Sequence, residues 1–152
     1  MIAVIARHRD VAVIVNDVHL GSTRGKSFSQ KVFGMSLDKH HALRDRTKAF
    51  ALRVIRMSQA LPRNREANVI CQQILRSATG IAANYRAAGR SRSKAEFVAK
   101  IGVVIEEADE TVFWLEMLAD SGLVRPQKLA KLQIEANELL AIFAASRRTA
   151  RD

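Results

Sequence analysis

Cysteine and histidine, the side chains that most often bind metals or carry out nucleophilic chemistry, are scarce in this chain of 152 residues. The single cysteine, Cys71, cannot form an internal disulfide, and we expect it to be a small buried hydrophobe. No histidine follows His41, so the Glu-x-x-His pairs that hold metals in helical bundles cannot be built. No serine, cysteine or histidine arrangement supports a nucleophile with its base. The sequence therefore predicts no metal, no cofactor and no enzymatic activity.

Long apolar runs are also absent. No stretch reaches the roughly 18–20 residues that a membrane-spanning helix needs. The charged segment "RHRD" interrupts the apolar N-terminal run, which a signal peptide would keep continuous. We therefore expect a cytoplasmic protein with no membrane partner. A chain of this length is expected to form one domain with a substantial core.

Residues 1–34 differ in composition from the rest of the chain, since a β-branched run, "VAVIV", precedes linker-like "GSTRGKSFS". The segment "GSTRGKS" is one residue too short between its glycines for a phosphate-binding loop. Asp17 and His19 form a D-x-H pair but lack the further ligands of a metallophosphoesterase. We interpret residues 1–34 as an extension that is mobile or lies upstream of the functional start at Met35. Residues 35–152 are then the folded domain.

From Asp38 onward, apolar residues recur with the period of amphipathic helices. Pro62, Gly89 and Gly122 mark the breaks between helices, and "SKAE" offers a capping box at the start of the third. Four helices joined by short connections predict an all-α, antiparallel up-down-up-down four-helix bundle. The polar tail "SRRTARD" is expected to fray. The predicted core positions are Leu43, Thr47, Phe50, Val54, Met57 and Leu61; Ile70, Ile74, Ser77, Ile81, Asn84 and Ala88; Phe97, Ile101, Val104, Ala108, Thr111, Leu115 and Leu118; and Leu129, Leu132, Ala136, Leu139 and Phe143.

Asn84 is the unusual member of this set, because a buried amide must find hydrogen-bond partners. We expect its side chain to bond to groups across the bundle.

Charge is unevenly distributed in a chain whose net charge is +10. Residues 39–100 contain 14 basic and three acidic residues, a net charge of +11, whereas residues 101–146 contain three basic and eight acidic residues, a net charge of −5. These halves can pair within one bundle, or the acidic and basic faces of different copies can meet. A chain this basic also commonly binds an anionic partner, of which nucleic acid is the first to consider.

The outer side of the second helix carries a polar row, with Arg76, Arg86 and Arg90 among its members, that runs into the basic connection "AAGRSRSK". Tyr85 is the one aromatic residue nearby, so contacts to phosphates are expected rather than base readout. We predict a nucleic-acid-binding surface on the first two helices and this connection. The alternative is a scaffold that docks an acidic protein without nucleic acid. The predicted nucleic-acid-binding residues are Arg53, Arg56, Arg76, Arg86, Arg90, Arg92 and Lys94.

The outer side of the third helix is acidic but carries Phe113, with Trp114 beside it. Aromatic side chains among charges on an outer face are typical of an interface. We therefore predict a homo-oligomer whose interface residues are Glu106, Asp109, Phe113, Trp114 and Glu116.

The stretch "ILRSATGIAANYRAAGRSRSKAEFVAKIGVVIEEADETVFWLEMLADSGLV" resembles the four-helix-bundle family named for 23S rRNA intervening-sequence proteins. The resemblance covers residues 38–146. It implies an antiparallel four-helix bundle, often a homopentamer, with no established enzymatic activity. Some members are encoded in insertions within ribosomal RNA genes, and a related branch comprises accessory proteins of diversity-generating retroelements. The resemblance thus implies nucleic acid, and a reverse transcriptase or a ribosomal component, as partners. The matching residues are Arg76, Ser77, Ala83, Asn84, Gly89, Arg90, Glu96, Phe97, Glu107, Glu110 and Leu115.

Overall fold

The structure is a computed structural model that describes residues 31–32 and 35–152. All but two residues of the predicted extension 1–34 therefore lie outside the described residues, as do the "GSTRGKS" segment and the D-x-H pair. Two short strands precede the first helix: β1 (Lys31–Val32) pairs antiparallel with β2 (Met35–Ser36). Lys31 lies opposite Ser36, and Val32 lies opposite Met35.

Four long helices follow, and they confirm the predicted antiparallel four-helix bundle. They are α1 (Leu37–Ser58), α2 (Arg65–Ala88), α3 (Lys94–Asp120) and α4 (Pro126–Arg151). Each helix packs on the next along the chain, and the ring closes where α1 meets α4 along a shorter line of contact.

Local side-chain chemistry sets where the helices begin and end. The side chains of Ser36, Asn64 and Ser93 each accept a hydrogen bond from the first turn of a helix, the last from the Glu96 N–H at 3.1 Å. The Glu96 carboxylate accepts from the Arg92 N–H at 2.8 Å, so the predicted capping box closes one residue before the cap. After α3, Gly122 has φ 73°, a conformation that favours glycine, so it stops the helix as predicted.

The core lies where the apolar sides of the four helices meet. All the predicted core positions of α3 and α4 are buried. Met57 of α1 and Leu61 of the following connection are only partly buried but still pack against the core. Burial of one large apolar side chain contributes about 1.5–3 kcal/mol, so these stripes account for the bundle's cohesion. The largest fully buried side chains include Phe50, Ile74, Tyr85, Ile101, Leu115 and Phe143.

The predicted position of Asn84 is corrected by the structure. Tyr85, which is 1% exposed, occupies the core position between Ile81 and Ala88, and Asn84 is half-buried beside it. The Asn84 side chain makes no hydrogen bond within the described part of the chain. Helical steps of three and four residues both fit the spacing from Ile81, and the larger aromatic side chain fills the space in the core.

The predicted fraying of the C-terminal tail is wrong. Helix α4 continues to Arg151, and Ala150 in its last turn is 4% exposed. The Arg147 side chain lies over Gly102 of α3, where an added Cβ would sit 3.3 Å from the guanidinium. Tertiary packing therefore holds a segment whose polar composition suggests a loose end.

A buried histidine joins the first and second helices at one end of the bundle. His40, which is 7% exposed, contacts the Tyr85 hydroxyl through Nδ1 at 3.1 Å. Gly89 has ordinary right-handed helical angles, φ −64° and ψ −10°, so a left-handed turn is not the reason for glycine there. A Cβ at Gly89 would overlap the His40 ring, and the absence of a side chain is what leaves room for the imidazole.

We expect Gly89→Ala to lower the free energy of unfolding by about 1–3 kcal/mol, because the added methyl overpacks a rigid buried ring. Gly102→Ala is the matched control, since it meets the flexible end of Arg147 and gains up to about 1 kcal/mol of helix propensity. Urea unfolding of both variants measures the difference. Equal stabilities of the two variants would contradict this role of Gly89.

Candidate functional site

The outer row of α2 is placed as the sequence predicts. Every member of it is exposed, and it ends at the connection to α3 that carries Arg92 and Lys94, which are exposed as well. The exposed members of the row are Gln72, Arg76, Thr79, Ala83, Arg86 and Arg90.

Two of the predicted nucleic-acid-binding residues are paired with acids of the same bundle. Arg53 of α1 forms an ion pair with Glu135 of α4. Arg76 of α2 forms one with Glu110 of α3. The Arg76 pair is largely exposed and contributes about 0–1 kcal/mol, whereas the Arg53 pair is half-buried, with the Glu135 side chain 17% exposed. Pairing within the bundle therefore accounts for these two arginines, and a phosphate would have to compete with their carboxylates.

The remaining predicted residues do not form one patch. Arg56 is exposed near the C-terminal end of α1, at the opposite end of the bundle from the α2–α3 connection. Arg86, Arg90, Arg92 and Lys94 lie together at that connection, and we call these four residues the basic end. Within the described part of the chain, Arg86, Arg90 and Lys94 make no ion pair.

Glu96 is the acid closest to the basic end, and its charge is already engaged. Its carboxylate accepts a hydrogen bond from the Lys100 ammonium at 2.9 Å and from the Arg92 N–H. These contacts lower the pKa of Glu96 to about 2. The Arg92 guanidinium approaches Glu96 only at 3.6 Å and is almost fully exposed. Glu96 therefore neutralises Lys100 more than it neutralises the basic end.

Among the described residues, the basic end has no exposed Phe, Tyr or Trp side chain on which a base could stack, and the exposed ring near it is the imidazole of His41. The Tyr85 ring packs at a tilt against the rings of His40 and Phe143, and its centroid lies 5.1 Å and 5.4 Å from theirs. Burial raises the pKa of the Tyr85 hydroxyl, which therefore stays protonated. Phe97, at the start of α3, is buried too. The arrangement can contact phosphates through its cations but offers no large aromatic ring for reading bases by stacking.

The outer side of α3 also matches its prediction. Glu106, Asp109, Phe113 and Glu116 are exposed, and we call them the acidic face. Phe113 is 48% exposed and meets the half-buried Trp114 edge-on, with ring centroids 4.8 Å apart.

Two features near the acidic face were not predicted from the sequence. Met117, one turn beyond Phe113, is also exposed and enlarges the apolar area. The indole N–H of Trp114 is buried and has no hydrogen-bond partner among the described residues. The spacing of Phe113 and Met117, four residues apart on one helix face, was the signal that could have revealed the larger apolar area.

The seam between α2 and α3 carries a second set of polar groups. The Thr111 hydroxyl donates to the Ser77 hydroxyl at 2.9 Å inside the core. One turn away, the Glu107 carboxyl packs against Gly80, where a Cβ would lie 2.6 Å from it. Burial raises the pKa of Glu107, Glu110 and Glu106 act in the same direction, and Arg76 opposes them. These groups are explained by helix packing.

The described residues form neither a metal site nor a membrane-spanning helix. No group of three or more His, Cys, Asp and Glu side chains in this part of the chain is placed to hold a metal ion. None of the helices described is both long enough and apolar enough to cross a bilayer.

These features define an all-α four-helix bundle with a basic end and an acidic face. The chain belongs to the family described as 23S rRNA-intervening sequence protein, whose model matches residues 39–145. It is similar to a crystal structure from Bacteroides thetaiotaomicron, a protein with unknown function from the S23 ribosomal protein family. That similarity has 28% sequence identity and a TM-score of 0.67, and covers 72% of this chain and 98% of that one. No curated protein matches the chain.

The buried His40 beside the basic end predicts a pH-dependent stability. Burial, followed by the charges of His41 and Arg44, lowers the pKa of His40 below its ordinary value of 6.5. At pH values between the lowered pKa of His40 and 6.5, the unfolded chain binds more protons than the folded chain. The stability that His40 contributes is therefore fully present above pH 6.5 and falls at lower pH. The dependence from this group is at most about 1.4 kcal/mol per pH unit.

We expect His40→Gln to remove this slope between pH 7 and pH 5, while His41→Gln, at an exposed position, keeps most of it because burial is the larger cause. Glu107 contributes with the opposite sign, because its pKa is raised. The comparison of variants in urea unfolding therefore isolates the histidine. A His40→Gln variant with the slope of the unmutated protein would exclude this assignment.

Proposed function

We propose that this chain is a non-enzymatic, self-associating accessory protein that binds the phosphate backbone of nucleic acid through its basic end. The observation that supports the proposal is the set of exposed arginine and lysine side chains, Arg86, Arg90 and Lys94, that no acid of the described chain neutralises. Arg53 and Arg76, by contrast, are paired. The family's description refers to 23S rRNA, which makes RNA the first nucleic acid to test.

The chemistry of the basic end favours binding without strong sequence preference. Arginine and lysine neutralise phosphates and release counterions, so affinity falls steeply as salt rises. Phosphate contacts orient a protein on nucleic acid but carry no sequence information. A reverse transcriptase or a ribosomal component, which the family resemblance implies, would then supply the specificity that the basic end lacks.

We expect Arg86→Gln/Arg90→Gln to weaken binding to a mixed-sequence RNA and to reduce the slope of log K against log salt by roughly 1.4–1.8. The matched control is Lys128→Gln/Lys131→Gln, which removes the same charge from exposed, unpaired positions in the N-terminal half of α4. Fluorescence anisotropy between about 50 and 200 mM salt, the range where such contacts show strongly, measures both.

Undetectable binding of the unmutated protein at about 50 mM salt would reject the nucleic-acid function. The alternative, a scaffold that docks an acidic protein, would then be favoured by partners that remain bound after nuclease treatment in a pull-down.

Self-association is supported by the acidic face. Phe113 sits half-exposed among Glu106, Asp109 and Glu116, and burial of a phenylalanine is worth about 1.5–3 kcal/mol. The outer row of α2 carries the opposite charge. Contact between two different faces of identical chains forms a ring when the rotation closes. We propose a cyclic homo-oligomer, with five copies taken from the family resemblance.

We expect Phe113→Asp to release monomers that keep their helical content, because it places a further negative charge and a polar group inside the contact. Leu52→Asp is the control, since Leu52 is 44% exposed on α1 and lies away from the acidic face. Light scattering and circular dichroism measure mass and helicity. A monomeric unmutated protein at about micromolar concentration, where a specific interface should hold, would reject the oligomer.

A further inference from the structure

The antiparallel fold brings a second group of cations to the basic end. Tyr85, near the end of α2, contacts His40 at the start of α1 and Phe143 in the last third of α4. The Lys100 ammonium of α3 donates to the Ala87 carbonyl of α2 at 3.4 Å. Arg147 of α4 lies over Gly102 of α3. The start of α1, the α2–α3 connection and the C-terminal turns of α4 therefore share one end of the bundle.

The last two turns of α4 add exposed cations there. Arg148 and Arg151 are exposed and make no ion pair within the described part of the chain. They are held in place because Ala150, between them, is 4% exposed and α4 stays helical to Arg151. Lys39 in the first turn of α1 is exposed as well. These positions are up to 112 residues apart in the sequence and meet only in the folded bundle.

The acids at this end do not cancel that charge. Glu96 is engaged by Lys100 and the Arg92 N–H. Asp38 and Asp152 are exposed at the outer ends of α1 and α4. Against these two stand the unpaired Arg86, Arg90, Lys94, Arg148, Arg151 and Lys39, so the surface keeps a positive charge.

We infer that Arg148 and Arg151 of α4, together with the basic end, form one phosphate-binding surface for duplex nucleic acid. This inference rests on the proposed function and names the form of its ligand. Helix axes in a bundle lie about 8–10 Å apart, so the end of the bundle is about 20 Å across. A duplex carries one charge per about 1.7 Å of axis, so a length that spans this surface carries on the order of ten charges, part of which face the protein.

The structure favours a duplex over a single strand for two reasons. The cations stand on the ends of packed helices, and a fixed array of charges matches the fixed phosphates of a duplex. Single strands gain much of their affinity from bases stacked on exposed aromatic rings. Tyr85, Phe97 and Phe143 at this end are all buried, and among the described residues the exposed ring here is the small imidazole of His41. A flexible strand would lose conformational freedom on this surface with little such compensation.

The test compares Arg148→Gln/Arg151→Gln with Lys128→Gln/Lys131→Gln, two pairs on the same helix that remove the same charge at opposite ends of the bundle. The probes are a 20-base-pair RNA duplex and a single strand of the same length that cannot pair. We expect the arginine variant to weaken duplex binding roughly tenfold at about 0.1 M salt and to lower the salt slope by roughly 1.8. The lysine variant should change affinity less than about threefold, and circular dichroism verifies the fold of both.

The other possible outcomes distinguish a failure of this inference from a failure of the proposed function. If Arg86→Gln/Arg90→Gln weakens binding but Arg148→Gln/Arg151→Gln does not, α4 lies outside the site and the proposed function stands. If the lysine control weakens binding as much as the arginine variant, net charge rather than this surface is responsible. If the single strand binds as tightly as the duplex, the inference is overturned. If the unmutated protein binds neither probe, both the inference and the proposed function fail.

Discussion

The short connections between the helices are the constraint on which the fold and both candidate surfaces depend. Residues 59–64, 89–93 and 121–125 each separate helices of 22 to 27 residues. A helix of that length is about 35 Å long, whereas the longest of these connections, six residues, reaches at most about 22 Å when extended. Each helix must therefore return alongside its predecessor. This is why Tyr85 can touch both His40 and Phe143, and why the cations of α2, α3 and α4 gather at one end.

Ion pairing then decides which of the many cations remain available. Arg46 and Arg53 face α4 and meet Glu135, while Arg76 faces α3 and meets Glu110. The acids lie along the middle of α3 and α4, so they reach cations in the middle of the neighbouring helices. At the basic end the acid of the described chain that pairs with cations is Glu96, which is engaged mainly by Lys100. The uneven charge of the sequence therefore gives a bundle whose middle is neutralised by ion pairs and whose basic end keeps a positive charge.

The core could be predicted because helical periodicity alone places apolar residues on one face, and the stripes of α3 and α4 are fully buried. Whether Asn84 or Tyr85 takes the core position could not be predicted, because steps of three and four residues are both helical. Only the packing in the core decides between the two residues. Gly89 was identified as a stop, but its role beside His40 depends on a contact across 49 residues. The sequence does not predict that the cations at the end of α4 are held in place, because nothing in the polar tail indicates that Ala150 will be buried.

The acidic face and the basic end point in different directions, and this separation matters for the proposed assembly. The acidic face lies on the flank of α3, whereas the basic end is formed where helices terminate. In a ring with cyclic symmetry all copies are related by rotation about one axis, so their corresponding ends face the same side. Association through the flanks would thus leave every basic end uncovered and present them together. Several weak phosphate-binding surfaces joined in this way bind with much greater avidity than one, provided that a duplex can reach more than one of them.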